Sequence, residues 1–325
     1  MKLTVAASAV LAITATGLIA ESRAQSQPYP SKPVRLLVTW PPGGGTDAIG
    51  RIMAQKFAAA FNQQFVVDNR PGAGGTIGMN LLAKAVPDGY TIGMMISSHA
   101  VNAGIYPSLP YDSVEDFAPV ALLARGLYIL VVNPGVGVRS VKELIALAKS
   151  APGKLNIANA GTGTPSHLGI EQFKSLAGVD IVMITYKGSG PAVIDTIGGQ
   201  AQLMFASLPS VQQQVKAGRL HALAVAGARR SAAVPALPII AESGVPGYDV
   251  SEWYGMAAPA KTPAAVMSRL NDEIQKILLM PDVKERLASL GAETVSMGPA
   301  PFSSFVRSEV VKWTKVVKEA GIKPE

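Results

Sequence analysis

The 325 residues include no cysteine. That excludes disulfides, thiolate metal sites and a cysteine nucleophile. The three histidines, at positions 99, 167 and 221, lie far apart. No helical His-Glu-x-x-His and no Gly-x-Ser-x-Gly occurs, so neither a zinc cluster nor a nucleophile elbow is written into the chain. Aromatic residues are scarce at 6% and charged residues come to 16%, against 48% hydrophobic. This is the balance of a globular chain rather than a disordered one. The formal charge is +7, but the basic residues form no stripe interleaved with aromatics and give nucleic acid no footing. A diffuse positive field of this kind helps to gather acidic small molecules. Beyond the first twenty residues no apolar run is long and unbroken enough to span a bilayer.

What is present begins with a targeting pattern. Met1-Lys2 is a short basic start, Leu3 to Ala20 is apolar and small, and Ser22-Arg23-Ala24 sets small residues at −3 and −1 of a cut before Gln25. Residues 1–24 therefore read as a cleaved secretory signal peptide, and the absence of cysteine excludes a lipid anchor. The mature chain is expected to be a soluble, exported protein, in the periplasm for a bacterium. At about 300 residues it has room for two domains with cores of their own.

The mature chain is organised around Thr39-Trp40-Pro41-Pro42-Gly43-Gly44-Gly45-Thr46-Asp47. An apolar run, Val34 to Val38, leads in and a helix-patterned segment leads out, so the stretch is a strand-to-helix loop. Its glycines permit positive φ and close approach of a ligand. The free N–H groups of the helix start carry partial positive charge, which suits an anion. Asp47 would repel an anion at close range and is better placed capping N–H groups or fixing a water. The strand–loop–helix sequence recurs. Residues 64–68 and 91–96 read as strands, the second ending in Ser97-Ser98-His99. Residues 127–132, 155–158, 179–184, 201–207, 220–226 and 252–258 read as further strands. Ser140 with Glu143 forms a capping box. The run from Asn159 through Ala160, Gly161, Thr162, Gly163, Thr164, Pro165, Ser166 and His167 repeats the opening logic in a second α/β unit. His167 falls in a first helical turn, where a neutral imidazole can donate one hydrogen bond. Recurrent βα units point to an α/β fold whose ligand lies beyond the carboxyl ends of parallel strands. Helices are expected from Thr262 to about Met280, over 282–289 and over 301–320. Trp253 and Tyr254 are expected to pack in the core beside a crossover.

Read in order, Tyr29-Pro30-Ser31-Lys32-Pro33-Val34-Arg35, Pro41-Pro42-Gly43-Gly44-Gly45-Thr46-Asp47, Asn69-Arg70-Pro71-Gly72-Ala73-Gly74-Gly75, Pro87-Asp88-Gly89-Tyr90-Thr91, Gly161 to His167, Tyr186-Lys187-Gly188 and Leu208-Pro209-Ser210 resemble the substrate-binding proteins of tripartite tricarboxylate transporters, the Bug family of periplasmic receptors. The resemblance covers nearly the whole mature chain. It implies a two-lobed periplasmic-binding-protein fold of type II-like organisation. Each lobe would be a mainly parallel sheet flanked by helices, with two hinge crossovers near residues 127–132 and 250–257. The implied partition is 25–128 and 251–325 for the first lobe and 129–250 for the second. It implies a small carboxylate, mono- or dicarboxylate and possibly aromatic, held between two glycine loops. The site would comprise Trp40, Pro42, Gly43, Gly44, Thr46, Asp47 and Ser98 on one side. Ala160, Thr162, Thr164, Ser166, His167, Tyr186 and Ala206 would form the other. Where the family commonly carries an acid after Met204-Phe205, this chain has Ala206, which tilts the expectation away from an amine-bearing ligand. Lys187 is a candidate partner for a second carboxylate. No cofactor and no metal is expected. The implied partners are the membrane subunits of a secondary transporter, and the receptor is expected to act as a monomer.

Other readings compete. Gly43, Gly45 and Ala48 fit G-x-G-x-x-A after a strand, and Asp68 ends the next strand where a ribose-binding acid belongs, the pattern of a dinucleotide-binding oxidoreductase. The export signal argues against that. An exported hydrolase with scattered catalytic residues is a second alternative, and a receptor that reports its ligand to a membrane sensor is a third.

Overall fold

The computed structural model describes residues 29–161, 164–186 and 188–321. The expected signal peptide, Thr162 and Lys187 lie outside them. Two mixed sheets form the framework. The first contains β1 (Val34–Val38), β2 (Phe65–Asn69), β3 (Thr91–Ile96), β4 (Phe117–Gly126), β10 (Glu252–Pro259) and β11 (Ala292–Met297), in the order β11-β4-β10-β3-β1-β2. The second contains β5 (Tyr128–Val132), β6 (Asn156–Asn159), β7 (Val182–Thr185), β8 (Leu203–Ser207) and β9 (His221–Val225), in the order β7-β6-β8-β5-β9. β1 pairs in parallel with β2 and β3, while β10 runs antiparallel to both β3 and β4. In the second sheet β6 is parallel to β7 and β8, and β5 alone runs against its neighbours.

The chain passes between the sheets twice. The first passage is the single residue Leu127, between β4 and β5. The second is the segment 226–251, between β9 and β10. The second passage lies beside the first: Ala226 N–H donates to the O of Tyr128, next to Leu127, at 2.9 Å, and Val250 N–H donates to Ala226 O at 2.8 Å, tying the two ends of the second passage.

Among the described residues ten α-helices cover the sheets. On the first, α1 (Gly45–Phe61), α8 (Ala264–Leu279) and α9 (Pro281–Ser289) enclose one core with Leu36, Phe57, Met94, Met256 and Ile274. On its other face lie α2 (Thr76–Ala83), α3 (Ser97–Ile105) and α10 (Pro299–Ala320). That core continues under α4 (Val141–Ser150) and α5 (Pro165–Ala177) of the second sheet. α6 (Ser189–Ile197) and α7 (Leu208–Lys216) close the far face. α10 packs on both α3 and α5 and so bridges the helix layers of the two sheets. Among the described residues no helix is long and apolar enough to cross a membrane.

Several elements have no counterpart in the sequence reading. β4 carries Val120, Ala121, Leu122, Leu123 and Ala124 fully buried. A strand covered on both faces loses the alternation that identifies strands, and Pro119 further masks it. α3 follows β3 with no intervening turn, and α7 begins at Leu208-Pro209-Ser210, directly after β8. At the α4 capping box Ser140 Oγ accepts from Glu143 N–H as expected. The carboxylate of Glu143, however, accepts from Arg139 N–H at 2.7 Å, one residue further back than the usual partner.

Candidate functional site

The parallel strands of both sheets end at a shared cleft. A cavity of about 430 Å³ fills it, bounded by Trp40 to Pro42, Gly44 to Thr46, Ser97, Ser98, Ala160, Thr164, Gly188 and Ser189. Tyr128, Ser251, Glu252 and Tyr254 line it from the crossovers, and Trp313 from α10.

Four helices begin at this cavity: α1, α3, α5 and α6. Three have no side-chain cap, since the residues before α1 and α6 are Gly44 and Gly188 and that before α3 is Ile96. An uncapped helix start leaves its first N–H groups without partners and concentrates about half a positive charge there. Among the described lining residues there is no lysine or arginine, so the positive potential comes from backbone. Two of these termini, at α1 and α5, were legible as glycine loops. At the other two, Ser98 and Tyr186 were expected in the site, but neither Ser97 nor Ser189 was recognised as a helix start.

The expected site residues divide into a lining set and a bracing set. Trp40, Pro42, Gly44, Thr46, Ser98, Ala160 and Thr164 line the cavity. Gly43, Asp47, Ser166, His167, Tyr186 and Ala206 are not among the lining residues, and the bonds that several of them make give the reason. Asp47 is buried and fully engaged. Its Oδ2 accepts from Gly43 N–H and Arg51 Nε, each at 2.9 Å, and its Oδ1 from Asn69 Nδ2 at 2.9 Å. Burial alone raises its pKa, but the Arg51 guanidinium, the Gly43 N–H and the Asn69 amide outweigh this and hold the carboxyl below its usual range. Asp47 thus shapes the first loop, with Gly43 at φ +89°. Ser166 donates to Phe205 O at 2.9 Å and braces the second loop against β8. Thr164 lines the cavity, yet its hydroxyl donates to Gly161 O at 2.7 Å and accepts from His167 N–H, capping α5. His167 is buried in the first turn of α5. The Tyr186 hydroxyl donates to Asp195 at 2.9 Å, and Ala206 is buried among α6 and α7 residues. Of the other histidines, His99 is fully buried with Nε2 2.7 Å from Ser113 O, and burial lowers its pKa to about 4. His221 opens β9.

Two residues that sequence reasoning left out of the site, Glu252 and Tyr254, form its floor. Alternation on β10 puts Trp253 into the core, as expected, and turns Glu252 and Tyr254 toward the cavity. The Tyr254 hydroxyl stands 3.4 Å from where a β-carbon on Gly45 would be, at the start of α1. It also hydrogen-bonds the Glu252 carboxylate. Glu252 Oε2 lies 3.4 Å from the β-carbon position of Gly126, at the end of β4. Burial raises the Glu252 carboxyl above its ordinary value and the Tyr254 hydrogen bond opposes this in part. A carboxyl whose pKa is raised in the folded state costs stability once pH exceeds its unfolded value. Glu252→Gln should therefore melt like wild type near pH 4. It should become more stable than wild type as pH rises through the ordinary carboxylate range, with the gain levelling off above the folded pKa. Thermal melts at intervals from pH 4 to 8 check this; a gain that shrinks with rising pH would contradict it.

Two α/β lobes, joined by two adjacent passages and enclosing a cavity ringed by helix starts, define the class of two-lobed periplasmic solute-binding proteins. Within that class the chain belongs to the tripartite tricarboxylate transporter family of receptors, whose TctC description matches residues 49–322. The protein BugT of Bordetella pertussis is 38% identical over 297 residues, covering 91% of each chain. A structure from R. palustris solved with adipate superposes with a TM-score of 0.75 at 36% identity, covering 91% of this chain and all of that one. MatC from Rhodopseudomonas palustris with bound malate gives 0.71 at 30% identity, covering 89% of this chain and all of that one. The family is one of receptors, not enzymes, so neither the hydrolase nor the oxidoreductase reading has support. The acid that suggested a ribose contact, Asp68, is occupied by Arg35 at 2.7 Å and Arg70 at 2.9 Å.

Proposed function

We propose that this chain is an exported receptor that closes over a small carboxylate and delivers it to the membrane subunits of a tripartite transporter. In this reading residues 1–24 direct export and are cleaved, and the mature monomer has lobes 25–128 with 251–325, and 129–250. The observation that carries it is the convergence of four helix starts on one cavity with no described basic side chain. Backbone N–H groups bind an ionised acceptor at about 1.5–3 kcal/mol per hydrogen bond. Coming from both lobes, they make the anion itself the link that favours the closed state. The rings of Trp40, Tyr128, Tyr254 and Trp313 supply walls for an apolar ligand body, and a volume of about 430 Å³ suits a small organic acid. The adipate and malate bound by the two structural relatives support the same ligand class.

A thermal-shift screen of the mature protein against mono-, di- and aromatic carboxylates tests this. A ligand at 100 times its Kd stabilises by about 2.7 kcal/mol. The bound form should also have a smaller radius of gyration in solution scattering, at monomer mass. A carboxylate panel that leaves both melting and radius unchanged would sink the proposal.

A further inference from the structure

The cavity that gathers positive potential from helix starts also contains one acidic side chain, Glu252. Among the described residues no ion pair reaches it. Its described hydrogen-bond partner is the Tyr254 hydroxyl, and that hydroxyl stands 3.4 Å from where a β-carbon on Gly45, the first residue of α1, would be. The floor therefore has two unlike poles separated by one phenol oxygen: backbone N–H groups that accept an anion, and a carboxylate that accepts a donor. A ligand that is anionic throughout satisfies only the first.

We infer that Glu252 sets the specificity of the site, favouring carboxylates that also carry an ammonium or hydroxyl donor over dicarboxylates. The inference rests on the carboxylate reading above and narrows it. Burial has raised the carboxyl and left it without a cation. A ligand ammonium restores the lost solvation of the charged form, whereas a second ligand carboxylate forces one of the two acids to take up a proton. The position of Glu252 at the second passage, over Gly126 beside the first, lets a donor bound there contact the segment about which the lobes move.

Calorimetric titration at pH 8 with two series tests the inference. One series is hexanoate, adipate, 6-aminohexanoate and 2-aminohexanoate; the other is benzoate, terephthalate and 4-(aminomethyl)benzoate. Wild type should bind at least one aminated acid tenfold or more tighter than the dicarboxylate of the same skeleton. In Glu252→Gln that ratio should fall below threefold or invert. Equal or tighter binding of the dicarboxylate by wild type, or an unchanged ratio in the variant, overturns the inference and leaves the carboxylate receptor standing. Binding of none of the seven overturns the carboxylate reading and this inference with it. Should the variant lack a cooperative melt, the wild-type ranking alone decides.

Discussion

Gly45→Asp is expected to weaken carboxylate binding by at least about a hundredfold while leaving the unliganded fold as stable as wild type or slightly more so. Gly45 is the first residue of α1 and lies outside the left-handed region, so a side chain there strains no backbone. Its neighbour Gly44 offers no side-chain cap. An aspartate in the first turn meets the positive end of the helix, a contact worth about 0.3–1 kcal/mol. The same carboxylate enters the cavity beside Tyr254, whose hydroxyl stands 3.4 Å from the new β-carbon. It would occupy the place of the ligand anion and repel it. Two like charges about 4 Å apart interact by about 4 kcal/mol at an effective dielectric constant of 20, which exceeds the hundredfold loss even after partial screening. Calorimetric titration with the best ligand of the screen, alongside a thermal melt, measures both quantities. Gly45→Asn, of nearly equal size but neutral, should lose much less affinity. A Gly45→Asp protein that binds like wild type would mean that the anion lies away from the α1 terminus.

How much of this site the sequence revealed depends on whether a residue's role is local. Trp40 to Thr46 and the 159–167 loop were readable because a strand, a glycine-rich turn and a helix start follow one another within a dozen residues. Asp47 was also readable as a capping acid, since Gly43 and Arg51, two of its partners, lie four residues away on either side. Tyr254 and Glu252 were not, because their contacts reach to Gly45 and Gly126, far off in the chain. Their spacing on a strand fixes that they share a face, but which face meets the cleft depends on the pairing of β10 between β3 and β4. β4 itself escaped notice for the same reason, buried on both faces and so without period. Trp313 shows the extreme case. Among the apolar residues of α10 it is indistinguishable by spacing from Phe302 and Val306, yet only its neighbourhood makes it part of the cavity wall.

That wall leads to the residue with the largest expected effect on stability. Glu309 is 5% exposed, and its Oε2 accepts from the indole N–H groups of both Trp253, at 3.1 Å, and Trp313, at 3.0 Å. Its other oxygen pairs with Lys312. One carboxylate thus ties α10 to β10 at the level of the second passage, with one indole on the strand next to Glu252 and the other lining the cavity. Glu309→Ala leaves two indole donors unpaired, at about 1–3 kcal/mol each, and opens a hole between Trp253 and Trp313. The expected loss is about 3–5 kcal/mol, a large part of the roughly 5–15 kcal/mol that holds a folded protein together. The urea midpoint should fall accordingly with little change in slope. Ligand affinity should fall too, because the Trp313 ring loses the bond that orients it. Glu309→Gln separates the causes: it keeps an acceptor for the indoles and removes only the charge facing Lys312, a partly solvated pair, so about 1 kcal/mol should be lost. If Glu309→Ala unfolds at the wild-type urea concentration, the indole bridge contributes nothing, and α10 is held to the two lobes by its apolar face alone.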